Sequence, residues 1–132
     1  MSQENVEIVR AMLAAYRRSD EATVRQLAAP DIVISTRPDQ PDPSERHGAE
    51  AVWEAGAEWV DAWDEHIYEE TRLWDSGDFV FVCVRESGRG RTSGVPMESE
   101  STFVFTVRRG KVARMQIFAS EHQALQAVGL EE

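Results

Sequence analysis

Arg85 stands out as a residue able to do chemistry, because it interrupts the apolar run from Phe79 to Val84. A guanidinium is rarely buried without an anionic partner. Facing a cavity, it could clamp a carboxylate, an enolate or a phenolate on a ligand. Otherwise it pairs with an acid of the chain or escapes to the rim. His47 closes a proline-rich stretch, and a histidine side chain is of a type suited to proton transfer, although a loop histidine also sits comfortably in solvent. Glu98 and Glu100 alternate with Ser99 and Ser101, so the two pairs belong on opposite faces of one strand. Trp53, Trp59, Trp63 and Trp74 could wall a cavity for a planar apolar ligand or simply pack helix on sheet. Cys83 reads as a small core residue.

Other chemistries lack their residues. The three histidines and one cysteine are scattered, with no metal-ligand spacing. No Gly-x-Ser-x-Gly nucleophile motif occurs. The glycines from Gly88 to Gly94 fall between strands rather than at the start of a helix, so they do not form a phosphate loop. No cofactor is implied. With 14 basic and 24 acidic residues, the net charge is −10. Such a surface repels phosphate backbones and anionic headgroups, which argues against nucleic acid or membrane as partner. The lone cysteine, the lack of a membrane-length apolar run and an N-terminus unlike a signal peptide make the cytoplasm the expected location.

The elements that must position these residues follow from periodicity. The 132 residues suit a single domain spanning residues 1–132. Val6, Val9, Leu13 and Tyr16 recur at helical spacing. Asp20 caps a second short helix carrying Val24 and Leu27, which Pro30 ends. Ile32 to Thr36 is a β-branched strand. Arg37 to His47, with Pro38, Pro41 and Pro43, is a loop. A helix runs from Ala49 to Trp63. The pattern then changes to alternation, with strands from His66 to Trp74, Phe79 to Ser87, Met97 to Val107 and Lys111 to Ala119. Glu121 to Val128 forms a terminal helix. Helices grouped ahead of a meander imply an α+β fold.

In this order, several short segments resemble the nuclear transport factor 2-like superfamily, in its SnoaL-like and ketosteroid isomerase-like branch. They are Asn5 to Arg10, Arg18-Ser19-Asp20, Ala29-Pro30-Asp31, Arg37-Pro38-Asp39, His47-Gly48, Ser76-Gly77-Asp78 and Arg109-Gly110-Lys111-Val112. The resemblance implies a cone, in which a strongly bent antiparallel sheet wraps around N-terminal helices and leaves a pocket. It also implies a homodimer through the outer sheet face. By analogy, Ile34, Thr36, Phe81, Cys83, Arg85, Ser99, Ser101, Phe103, Met115 and Ile117 face inward, and Tyr16, Trp59 and Trp63 close the cavity.

Ketosteroid isomerases place a carboxylate on the first strand, where this chain has Thr36. Their tyrosine position falls at Met12, and their protonated acid falls at Ser101 or Thr102. None of the three can do that work. Two readings therefore stay open. One is an isomerase, cyclase or dehydratase for a mostly apolar, oxygen-bearing substrate, using Arg85 and His47. The other is a noncatalytic ligand-binding or interaction domain.

Overall fold

The computed structural model describes residues 2–36 and 44–130. Two helices come first, α1 (Ser2–Arg17) and α2 (Glu21–Leu27). Strands β1 (Ala28–Ser35) and β2 (Glu45–His47) follow, then α3 (Ala49–Asp61). The meander β3 (Trp63–Ser76), β4 (Phe79–Gly90), β5 (Pro96–Arg108) and β6 (Lys111–Phe118) precedes α4 (Glu121–Ala127). The sheet order is β2-β1-β6-β5-β4-β3, and the sheet is curved and unclosed. It is mixed, because β1 runs parallel to β6 while the other pairs are antiparallel.

Local chemistry sets the turns and caps. Asp20 accepts hydrogen bonds from the Thr23 backbone N–H (3.2 Å) and hydroxyl (2.6 Å), which starts α2. Arg109 and Gly110 both take positive φ (53° and 76°), as a two-residue hairpin requires to match strand twist. Register shifts in β3 between Asp64 and Ile67, and between Glu70 and Arg72, add to the bend.

The sheet has an apolar cluster on each face. Inside, Val80, Val82 and Val84 meet Val9, Met12 and Leu13 of α1, with Phe103 and Phe105 alongside. Outside, Phe81 and Val104 pack with Phe118 and with Ala124 of α4. Trp74 stacks on Phe81 there, with ring centroids 4.9 Å apart.

Some boundaries differ from the sequence reading. The first strand begins at Ala28 and runs through Pro30. Glu45–His47 forms a short strand instead of loop. Pro38, Pro41 and Pro43 lie outside the described residues. The third helix stops at Asp61, and Trp63 opens β3 instead of ending that helix. The cause is tertiary, since Arg91 takes the Ala62 carbonyl with its backbone N–H (2.9 Å) and the Trp63 carbonyl with its guanidinium (3.2 Å).

Because Phe81 is fully buried beneath α4, Phe81→Ala should cost about 3–5 kcal/mol of unfolding free energy in urea titration. A cost within error of zero would mean that α4 does not seal this face.

Candidate functional site

The concave face of the sheet and the first three helices frame a cavity of about 760 Å³. Small-molecule sites typically span roughly 300–1,000 Å³. Helix α3 arches over it without burying a residue of its own. Gly56 lets α3 approach α1, because a Cβ there would lie 2.5 Å from the Tyr16 ring. In that close approach the Tyr16 hydroxyl donates to the Gly56 carbonyl (2.8 Å).

Glu86 is the only charged side chain buried among the described residues, with 4% of its side chain exposed, and it lines this cavity. Such a group must be paired to persist. The Trp59 indole N–H donates to Oε2 at 2.8 Å, and His66 Nε2 shares a hydrogen bond with the same oxygen at 2.8 Å. Oε1 has no partner among the described residues. Across the strands, Glu86 pairs with Tyr68 of β3 and Ser99 of β5, so the three share the inner face. The hydroxyls of Ser99 and Ser101 have no hydrogen-bond partner among the described residues, and both residues line the cavity.

The buried carboxylate marks its neighbours. Burial first, then the charge of Glu86, pushes the Tyr16 phenol up to about 12. Burial also raises Tyr68, helped by Glu70 and Glu86 and opposed by Arg17. Both phenols stay protonated near neutral pH. Of the arginines along the lining, Arg46 pairs with Glu58 (2.8 Å) and Arg91 with Asp61 (2.7 Å), while Arg17 lies over the Tyr68 ring, 5.0 Å from its centroid.

The residues expected to form the site separate into two groups. Tyr16, Ile34, Thr36 and Trp59 line the cavity, as do Ser99, Ser101, Phe103, Met115 and Ile117. Thr36 is tied to Ser44, its hydroxyl accepting from the Ser44 N–H (2.8 Å). Arg85 does not join them. It lies on the outer face, 53% exposed, 3.3 Å from Glu100 and 4.0 Å from Glu69. Phe81 and Cys83 share its strand parity, and Phe81 packs outside under α4. The physical reason is register, since β4 places Arg85 opposite Glu100 and Glu86 opposite Ser99. His47 is also outside, with its side chain 68% exposed and its Nε2 3.7 Å from Glu45. Trp63 is buried beneath the site and does not line it.

Sequence reasoning did not single out Glu86, Tyr68 or His66 as site residues. The sequence narrowed the choice to Arg85 or Glu86 without deciding it. With Ser99 and Ser101 inward, an Arg-Glu pair on the neighbouring strand must send one charge to each face, and hairpin register decides which.

The matched family model is the SnoaL-like domain, over residues 9–115, and the chain belongs to this family. No curated protein matches the sequence significantly. Among solved structures, a nuclear transport factor 2-like protein from Burkholderia thailandensis is 25% identical, with 97% of this chain and 98% of that one covered and a TM-score of 0.77. A protein from a Jannaschia species, named as a candidate SnoaL-like polyketide cyclase, is 18% identical, with 100% and 96% covered and a TM-score of 0.78. A protein with a ketosteroid isomerase-like fold from Catenulispora acidiphila, solved with trimethylamine, is 19% identical, with 94% and 93% covered and a TM-score of 0.70. Among the described residues no helix is long and apolar enough to cross a membrane.

Two outcomes follow from this geometry. Tyr16 binds its proton more tightly folded than unfolded, so its stabilising contribution is full below the ordinary phenol value of 10.0 and is lost as pH rises towards about 12. Denaturation series at rising pH should show this loss reduced in Tyr16→Phe. Arg85→Ala should leave cavity binding of an apolar fluorescence quencher unchanged and cost only about 0–1 kcal/mol, as exposed ion pairs do. Lost binding in that variant would return Arg85 to the site.

Proposed function

We propose that the chain is a small-molecule enzyme in which Glu86 moves a proton on a mostly apolar, oxygen-bearing substrate. The observation that carries this reading is the buried carboxylate in an aromatic-walled cavity, held by Trp59 and His66 and with one oxygen uncommitted among the described residues. Glu86 takes a proton from a carbon beside a carbonyl. The electron pair of the broken C–H bond moves onto the carbonyl oxygen, which the Ser99 or Ser101 hydroxyl stabilises by donation. Return of the proton to another atom completes an isomerisation. Alternatively, the enolate carbon attacks a second carbonyl of the substrate, whose oxygen takes the proton from Glu86, or the enolate expels a β-hydroxyl that takes that proton and leaves as water. The remaining expected lining residues, Tyr16, Ile34, Trp59, Phe103, Met115 and Ile117, shape the binding surface. With the lining Arg46 and Arg91 engaged by acids, Arg17 set over the Tyr68 ring and the carboxylate of Glu86 in the wall, an uncharged substrate fits better than an anion.

A cytoplasmic homodimer completes the proposal. The acidic composition and single cysteine fit that compartment. The exposed outer strand face carrying Arg85, Glu98 and Glu100 offers self-complementary charges. Sedimentation at a monomer mass would refute the dimer.

The enzymatic test is deuterium uptake by 2-tetralone, an apolar aromatic ketone, followed by proton NMR in heavy water. The protein should accelerate exchange. Glu86→Gln should lose about 10²–10⁴-fold of that rate while still binding the ketone. Binding without accelerated exchange in the unsubstituted protein would instead favour the noncatalytic cavity. Full activity in Glu86→Gln would remove Glu86 from the chemistry.

A further inference from the structure

Trp63 lies outside the cavity lining yet touches both groups that hold Glu86. Its ring stacks on the His66 imidazole, with centroids 4.8 Å apart and planes 27° apart. It also meets Trp59 edge-on, at 5.5 Å and 75°. These partners make the two hydrogen bonds to Glu86 Oε2. They come from different elements, Trp59 from α3 and His66 from β3, and Trp63 stands at the junction between them.

Two further features separate this residue from ordinary core filler. Trp63 is 2% exposed, and its indole N–H is buried with no hydrogen-bond partner among the described residues. An unsatisfied buried donor is costly, so an aromatic ring without that N–H would serve better if volume were all that mattered. The two-ring width of the indole meets His66 and Trp59 together. Gly88 also lies close against it. A Cβ at Gly88 would fall 3.1 Å from Trp63 Cε3 and 2.8 Å from the Asp64 carbonyl.

We propose that Trp63 is a positioning residue that locks His66 and Trp59 onto Glu86 and so fixes the orientation of the carboxylate. Its place in catalysis rests on the proton-transfer reading of Glu86, whereas its mechanical coupling to the two donors does not. Such a residue changes rate more than binding, because small misplacement of a reacting group is expensive.

The test uses the full chain and Trp63→Phe, which keeps an aromatic ring but loses the width and the unpartnered N–H. In the folded variant, the NMR signals of Trp59 Nε1–H and His66 Nε2 should move away from their carboxylate-bonded positions. 2-Tetralone exchange should fall by about 10- to 100-fold with the ketone's binding constant little changed. Unmoved Trp59 and His66 signals in folded Trp63→Phe would overturn the proposal. Should the variant not fold, the unsubstituted protein labelled with 5-fluorotryptophan decides. The fluorine signals of Trp63 and Trp59 should both move when His66→Gln is introduced, and a Trp63 signal blind to that change would overturn the proposal. If Glu86→Gln retains exchange, the enzymatic reading fails while these NMR signals still report on Trp63.

Discussion

The buried charge of Glu86 constrains the rest of the site. A carboxylate taken out of water needs donors with good geometry. Here both known donors reach one oxygen, and they arrive from separate parts of the chain, at positions 59 and 66. The end of α3, the start of β3 and the middle of β4 are therefore tied to one point. Arg91 reinforces the same corner from the β4–β5 connection through Asp61, Asp64 and the Trp63 carbonyl. The single carboxylate is also felt across the cavity, where its charge adds to burial in keeping Tyr16 and Tyr68 protonated.

Around this point the fold keeps open a space that it could have filled. The inner cluster of valines and phenylalanines joins α1 and α2 to the sheet. Helix α3 is held at a distance, resting on Tyr16 through Gly56 and reaching Glu86 through Trp59. The resulting wall is largely aromatic and aliphatic, with Ser99, Ser101 and Glu86 as polar points on adjacent strands. This pattern of few placed polar groups in an apolar hollow is what small-ligand sites share. Membership of the SnoaL-like family agrees with the architecture, and a shared fold does not by itself assign a reaction.

Much of the fold was legible in the chain. Helical spacing in Val9, Leu13 and Tyr16, the Asp20 cap and the Arg109-Gly110 turn are local signals, and each appears in the structure. Alternation on β5 is legible too, because its two faces differ: Ser99 and Ser101 line the cavity while Glu98 and Glu100 lie exposed. The site was less legible. Residues such as Tyr16, Trp59 and Phe103 were within reach from pattern and resemblance, but the acid at its centre was not.

The limit comes from β4. Its run from Phe79 to Val84 is apolar on both faces, since helices cover one face and α4 covers the other, with Phe81 beneath it. A strand buried on both sides carries no alternation to announce its parity. Parity was decided by the pairing of β4 with β5, which puts Glu86 beside Ser99 and turns Arg85 towards Glu100. The amino-acid sequence by itself determined the order of elements, the turns and a Ser-bearing inner face. Only the tertiary structure chose the carboxylate over the guanidinium, because a one-residue difference in register exchanges every side chain across a sheet.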